Sequence, residues 1–331
     1  MKKKLLSALL CAAMVASLVI GCGSKEEPAA EAPVATEDAE VSAEEAEDEE
    51  NYETGDASLD NTRNQDEIGE NELLVVSFGT SFNDNRRLTI GAIEEKIEAA
   101  FPEYAVRRGF TSQIIIDHVM SRDNVKIDNL AEALDRAVAN GVKNLVVQPT
   151  LLMNGIEYEE LTTTLAEYSD SFESVTVGEP LLTSDEDFQK VAAAIVDVTA
   201  EYDDGKTAIV FMGHGTHHES NAVYAKMQTL LTEGGHKNYF VGTVEGSPML
   251  EEVMPLVEAG GYERVVLRPL MIVAGDHANN DMAGLEEAGA WAYEFEAAGY
   301  EVVSVVEGLG QIEAIQDLLV EHTKAAVDSA K

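Results

Sequence analysis

The chain has 331 residues, of which 62 are Asp or Glu and 22 are Lys or Arg, so its formal net charge is -40. This acidity argues against a nucleic-acid partner, because phosphate contacts need clustered Lys and Arg, and against docking on anionic lipid through a basic patch. The two cysteines, Cys11 and Cys22, both precede residue 23. The rest of the chain therefore has no disulfide framework, Cys zinc site or thiol nucleophile.

Residues 1–22 have the features of a secretory signal. Lysines at positions 2–4 precede an uncharged apolar run, 5–20, which is shorter than the roughly 20 residues of a spanning helix. The last four residues, Val19-Ile20-Gly21-Cys22, resemble a bacterial lipoprotein cleavage box. The resemblance implies that Cys22 is lipidated and that the protein is exported and anchored on the extracytoplasmic side of the membrane. An ordinary signal and an uncleaved anchor are the alternatives.

Residues 23–72 are predicted to form a disordered acidic tether. They contain 19 acidic and two basic residues, no Phe or Trp, and only Leu59 and Ile68 as large aliphatic residues. So little apolar surface cannot offset the entropy lost on folding, and like charges extend the chain. The remaining body, 73–331, keeps a net charge of -26.

The body alternates short apolar runs, typical of buried strands, with stretches of helical periodicity. In an N-terminal lobe, 73–205, strands are predicted at 73–78, 104–110, 145–149 and 175–177, and helices at 86–100, 129–140, 157–169 and 185–202. In a C-terminal lobe, 206–331, strands are predicted at 207–212, 239–243, 264–270 and 300–306, and helices at 222–231, 249–259, 284–298 and 311–330.

This alternation predicts an α/β fold of two similar lobes, each a parallel sheet flanked by helices. The lobes resemble a diverged duplication, since 75–80 matches 209–214 and 145–149 matches 265–269. On that register Glu157 corresponds to His277. Ligands bind beyond the carboxyl ends of parallel strands, so we expect the active-site cleft between the lobes.

Three side chains are predicted to follow successive strands of the second lobe: His214, Glu245 and His277. Glycines flank His214, which lets a ligand approach the imidazole, although a packed histidine in a tight turn is the alternative. Two imidazoles and a carboxylate suit a divalent first-row metal with open coordination positions, or serve as proton acceptors. Asp276 is a candidate to orient His277, whereas Asp281 is predicted to begin the next helix.

The body resembles the class II chelatases, and most closely the anaerobic cobalt chelatases of vitamin B12 synthesis, the CbiK type. The resemblance rests on five stretches: Val75-Val76-Ser77-Phe78-Gly79-Thr80-Ser81 with 89–94, Arg107-Arg108-Gly109-Phe110-Thr111-Ser112, 148–155, Gly213-His214-Gly215-Thr216, and Glu245-Gly246 with Gly275-Asp276-His277. It implies a two-lobed fold that inserts Co²⁺ into sirohydrochlorin, with His214, Glu245 and His277 as metal ligands and His214 as proton acceptor.

In this interpretation Co²⁺ is the substrate metal, with Ni²⁺ or Fe²⁺ as alternatives, and no organic cofactor is required. Arg107, Arg108 and Arg268 are the candidates that bind the carboxylates of the tetrapyrrole, and ion pairing within the fold is their alternative role. The partners are the tetrapyrrole and, through Cys22, the membrane; a homo-oligomer and a transporter are further candidates. The competing hypothesis is an exported lipoprotein that binds a metal or tetrapyrrole for a transporter without turnover.

Overall fold

The protein consists of two lobes whose sheets have the same size and strand order. The computed structural model describes residues 54–286 and 288–330, so the predicted signal and Cys22 lie outside the described residues. The first sheet, in the order β2-β1-β3-β4, contains β1 (Asn71–Ser77), β2 (Ala105–Phe110), β3 (Asn144–Pro149) and β4 (Ser174–Val177). The second, in the order β6-β5-β7-β8, contains β5 (Thr207–Gly213), β6 (Tyr239–Thr243), β7 (Arg264–Pro269) and β8 (Glu301–Ser304).

All strand pairs are parallel, which confirms the predicted α/β class and the duplication. The central strand of each sheet is buried along nearly its whole length, because helices cover both faces of a parallel sheet. Within the described residues, no helix has both the length and the apolar content needed to span a membrane.

Ten α-helices are found in the described residues. They are α1 (Asn83–Arg86), α2 (Ala92–Ala100), α3 (Gln113–Asp123), α4 (Leu130–Ala139), α5 (Ile156–Glu167), α6 (Asp185–Thr199), α7 (Ala222–Glu233), α8 (Leu250–Gly260), α9 (Trp291–Ala297) and α10 (Glu313–Ser329). The π-helical segment Arg87–Gly91 joins α1 to α2, and a second π-helical turn spans Ala278–Met282.

Two helices differ from the prediction. Helix α3 was not predicted, because its β-branched run 114–116 obscures the helical periodicity; the Ser112 hydroxyl caps its first turn. The helix predicted at 284–298 was wrong in its first half, since α9 begins only at Trp291. Gly289 has a φ of +104°, which is incompatible with a continuous right-handed helix.

The lobes are joined by helices that cross between them. Helix α10 comes from the second half of the chain but packs against β3 and α2 of the first. The Thr323 hydroxyl donates to the Gln148 side chain at 3.2 Å, and Lys96 pairs with Asp317 at 2.6 Å. The predicted boundary at 205/206 therefore falls between the two sheets in sequence, but one hydrophobic core contains residues from both sides of it.

The segment 54–70, which we call the N-terminal strap, packs on the first lobe, so the prediction of disorder was wrong for these residues. Asp60 lies between Arg86 and Arg108, and Arg63 is only 2% exposed beside Glu94. Ion pairs and backbone hydrogen bonds hold the strap, although it has little apolar surface of its own. Low apolar content predicts disorder only where such long-range partners are lacking.

One buried carboxyl predicts how stability depends on pH. Burial raises the pKa of Glu72 to about 7 from its ordinary 4.5, although Arg107 opposes the shift. Between these values the folded state binds more protons than the unfolded chain, so this contribution to stability is present below pH 4.5 and lost as pH rises through 7.

Glutamine does not titrate. We therefore expect the unfolding free energy of Glu72→Gln to fall less between pH 5 and pH 8.5 than that of the parent chain, by roughly 2–3 kcal/mol. Urea unfolding at both pH values measures the difference. Glu70→Gln, at an exposed position two residues away, is the matched control. An equal pH dependence in Glu72→Gln and the parent chain would contradict the assignment.

Candidate metal centre

His214, Glu245 and His277 converge at the carboxyl edge of the second sheet. Each offers one ligand atom, and these atoms all lie within 4.8 Å of one another. The residues follow β5, β6 and β7, whose parallel pairing brings the three loops to the same edge. The structure thus brings together all three predicted ligands, and the imidazole rings of the histidines lie edge to face with centroids 4.6 Å apart.

The glycines beside His214 are required by close packing. A Cβ atom on Gly213 would lie 2.1 Å from the Tyr224 ring, and one on Gly215 would lie 2.4 Å from the Gly246 nitrogen. Gly215 also has a φ of +89°, which favours glycine. We predicted that these glycines give a ligand access to His214. The structure shows that close packing also requires them, which the sequence did not reveal.

The tautomer of His214 follows from its main hydrogen bond. Nδ1 lies 2.8 Å from the carbonyl oxygen of Gly215, which can only accept. In the neutral ring the hydrogen is therefore on Nδ1 and the lone pair is on Nε2. With its side chain 46% exposed, His214 is the most accessible of the three residues. It can therefore bind a cation or accept a proton from a molecule in the cleft.

The structure places Asp281, which we predicted to begin the next helix, against the His277 ring. The Asp281 Oδ2 atom lies 2.7 Å from His277 Nδ1, while Asp276 Oδ1 accepts from the Asn280 amide at 2.6 Å. The π-helical turn Ala278–Met282 puts Asp281 one turn after His277, so both side chains share a face. With this carboxylate at Nδ1, Nε2 is the His277 nitrogen that would bind a metal ion.

Backbone hydrogen bonds position Glu245 beside His214. The Glu245 amide donates to the His214 carbonyl oxygen at 2.8 Å, and the adjacent Val244 amide donates to Gly213 at 3.0 Å. The Glu245 side chain remains 31% exposed. The β6 loop thus presents a partly solvated carboxylate to the same space as the two imidazoles.

Tyr224, which sequence analysis missed, supports the loop that carries His214. Its hydroxyl oxygen accepts from the Gly215 amide at 3.3 Å, and burial raises the pKa of Tyr224 to about 12. The phenol therefore stays neutral and acts as a fixed support. No local signal distinguishes it from other apolar-face residues of α7.

The first lobe forms the opposite wall of the cleft. Thr80, after β1, lies against Gly275, and Gly155, before α5, lies against Ser220. The Ala274 amide donates to the Asn85 side chain at 2.8 Å, so the loop that carries His277 is held from across the cleft. Phe78 and Ile156 are about 40% exposed at this edge of the first lobe.

The structure contradicts the predicted substrate role of Arg107 and Arg108. Both are fully buried; Arg107 pairs with Asp128 at 3.1 Å, and Arg108 pairs with Asp60 and Glu94. Burial opposes charge on Arg108, but its two carboxylate partners raise its pKa overall. Because both faces of a parallel sheet are covered, neither guanidinium can reach a ligand in the cleft.

Arg268, the third arginine that we predicted to bind the substrate, is not available for this role either. It is 4% exposed and donates to Glu307 at 2.9 Å. It lines a cavity of about 520 Å³ between α6 and α10, away from the three converging residues and rich in carboxylates. Such a cavity would repel a polyanion, so none of the three predicted arginines is placed to bind one.

Comparison with known proteins relates this geometry to a family of metal-inserting enzymes. The model of the family described as "Cobalt chelatase (CbiK)" matches residues 71–328. A sirohydrochlorin cobaltochelatase of Salmonella typhimurium is 35% identical over 258 residues, which cover 78% of this chain and 97% of the relative. Sirohydrochlorin cobaltochelatase CbiKC of Nitratidesulfovibrio vulgaris is 30% identical over 259 residues, 78% of this chain and 90% of the relative.

A solved structure supports the same fold. SirB from Bacillus subtilis, determined with Fe³⁺, aligns with a TM-score of 0.50 over 79% of this chain and 97% of its own. At 15% sequence identity this similarity concerns the fold alone.

The Asp281 contact generates a prediction about metal affinity. We expect Asp281→Ala to weaken Co²⁺ binding by about 10- to 100-fold, because the His277 imidazole loses the partner that orients it. Titration of the purified chain with Co²⁺, followed by the visible spectrum of the bound ion, measures the change. Glu251→Ala removes an exposed carboxylate on α8 and should leave the affinity unchanged. Equal affinities in the two variants would count against Asp281 as the orienting residue.

Proposed function

The chain belongs to the CbiK family of cobalt chelatases, and from this premise we propose that it inserts Co²⁺ into sirohydrochlorin, with His214, Glu245 and His277 holding the metal. The family match covers most of the chain, and the named relatives are chelatases. The observation that carries the assignment of residues is the convergence of three ligand atoms within 4.8 Å. Co²⁺ is here a substrate, and its binding must be reversible.

The ligand set suits a metal that is to be transferred. Two imidazoles and one carboxylate leave coordination positions open, into which the pyrrole nitrogens of the macrocycle can enter. The partial exposure of His214 and Glu245 keeps the metal accessible from the cleft. A fully enclosed four-ligand site would retain the ion instead.

His214 is the proposed proton acceptor. Insertion releases two N–H protons from the macrocycle for each Co²⁺ that binds its four nitrogens. When the metal moves to the macrocycle, His214 Nε2 regains its lone pair and can accept one of these protons, while the other passes to water in the open cleft. The Nδ1 bond to Gly215 keeps the ring in the orientation and tautomer that this step requires.

The seating of the macrocycle must rely on groups other than the predicted arginines. Phe78 follows β1 and Ile156 begins α5, so both exposed apolar side chains lie at the edge that faces the second lobe. We propose that this apolar edge packs against the flat tetrapyrrole, which removes apolar surface from water on both sides. The carboxylates of the substrate then point outward, away from the acidic body.

We further propose that the protein acts outside the cytoplasm as a lipoprotein anchored through Cys22. The proposal is supported by the lysines at 2–4, the apolar run 5–20 and the cleavage-box resemblance. The described fold begins at residue 54, which leaves 23–53 as the acidic connection between the lipid and the chelatase body.

The insertion assay tests the enzymatic proposal. We expect the purified chain to convert sirohydrochlorin to its Co²⁺ complex, as followed by the change in the visible spectrum. We expect His214→Ala to lower the rate by a factor of about 10² or more, because both a ligand and the proton acceptor are lost. His217→Ala, an exposed histidine in the same loop, should keep the parent rate.

The outcomes distinguish an enzyme from a binding protein. Tight Co²⁺ binding by the parent chain without any insertion would refute the chelatase and favour a lipoprotein that delivers metal or tetrapyrrole to a transporter. Equal rates for His214→Ala and His217→Ala would refute the role of His214 but not the activity.

Localisation has a separate test. Cys22→Ala should abolish labelling of the full-length protein by a radioactive fatty acid, because the acceptor thiol is lost. Cys11→Ala lies in the segment predicted to be removed and should not change the labelling. Labelling of Cys22→Ala equal to that of the parent chain would refute lipid anchoring at this residue.

A further inference from the structure

The N-terminal strap, residues 54–70, lies outside the part of the chain that the family model matches, which begins at residue 71. It nevertheless makes specific contacts with the first lobe. The Thr54 carbonyl oxygen accepts from the Asp84 amide at 2.8 Å, and the Gln65 side chain donates to Val106 at 3.0 Å. The strap therefore runs beside the loop and helix that follow β1, at the edge of the cleft.

Asp60 is the central contact of the strap. Its side chain is 2% exposed and receives hydrogen bonds from two buried guanidiniums, Arg86 at 2.7 Å and Arg108 at 2.6 and 3.0 Å. Burial opposes its charge, yet Arg108 and Arg86 lower the pKa of Asp60 overall. Two converging cations need this carboxylate, because unpaired charges inside a protein are strongly unfavourable.

Arg86 transmits the position of Asp60 to the cleft. Its Nη1 donates to the Thr80 carbonyl oxygen at 3.0 Å, in the loop after β1. Thr80 in turn packs against Gly275, two residues before His277. One face of the loop that carries a proposed metal ligand thus rests on a segment held by Arg86.

Asn85 provides a second link along the same helix. Its Oδ1 accepts from the Ala274 amide at 2.8 Å, and its Nδ2 donates to Gln311 at 3.4 Å. Asn85 is the neighbour of Arg86 in α1, so a shift of Arg86 moves both contacts with the second lobe. The path from Asp60 to the His277 loop therefore consists of direct contacts throughout.

We propose that Asp60 is a positioning residue for the metal centre, acting through Arg86 and Asn85 on the loop that carries His277. The inference rests on the proposed role of His277 as a ligand. It assigns to the strap a part in the site of this chain, although the strap precedes the family domain.

Metal binding without turnover tests the proposal. We expect Asp60→Asn to weaken Co²⁺ binding by at least fivefold and to change the visible spectrum of the bound ion, since the His277 loop loses its support. Asp66→Asn, which removes a largely exposed carboxylate of the same strap, is the matched control and should behave as the parent chain. Asp60→Glu keeps the charge and should restore part of the affinity.

Asn85→Ala provides a milder variant, because it leaves the buried ion pairs intact. It should also weaken Co²⁺ binding, and the double variant Asp60→Asn/Asn85→Ala should be less impaired than the product of the two single effects. If the strap has only a structural role, Asp60→Asn will melt at a lower temperature than the parent chain. At a temperature where the variant is folded, its Co²⁺ affinity and spectrum will then equal those of the parent. That result, or unchanged affinity in Asn85→Ala, would overturn the proposal.

The measurement is independent of insertion. If the parent chain binds Co²⁺ at the three ligands but does not insert it, the proposed function fails while the strap inference is still decided by affinity. If insertion occurs and Asp60→Asn retains full affinity, the strap inference alone fails.

Discussion

The parallel pairing of β5 with β6 and β7 is the constraint on which the candidate centre depends. Parallel strands end at the same edge of a sheet, so three residues far apart in sequence, His214, Glu245 and His277, reach one space. The same pairing in the first sheet supplies the opposite wall. Because the helices cover both faces, the carboxyl edge of each sheet is where a ligand can approach these residues.

Three arginines are used inside the fold as partners of buried carboxylates. Arg86, Arg107 and Arg108 are fully buried and paired with carboxylates, so they are lost to substrate binding. The body keeps its negative charge, which attracts divalent cations and opposes a polyanionic macrocycle. In the proposed seating, contact with the tetrapyrrole therefore depends on apolar surface more than on charge.

The two lobes are linked by contacts that cross between them. Helix α10 closes the core of the first lobe, and Asn85 holds the Ala274 amide of the second. The strap adds a further layer, since Asp60 holds the helix that carries Asn85. In the proposed arrangement, the geometry of the candidate metal centre depends on residues of the first lobe as well as on its own strands.

Most of the elements, the parallel class, the duplication and the three converging residues could be predicted from the sequence, because each depends on a local pattern or on a residue in the loop after an apolar strand. Asp281 was misassigned as the start of the next helix, because its contact with His277 depends on one helical turn whose presence the sequence did not signal. Burial of Arg107 and Arg108 and the order of the strap depended on partners 14 to 48 residues away in sequence.

Local periodicity thus determined which segments become strands and which loops carry the candidate ligands. Tertiary structure alone decided which charges meet. The sequence does not show whether an arginine after an apolar residue faces solvent or a buried carboxylate. An acidic segment is likewise predicted to be disordered until the residues that pair with it are known. The physical reason is that ion pairs are non-local: their energy depends on distance and burial in space, neither of which a single stretch of sequence encodes.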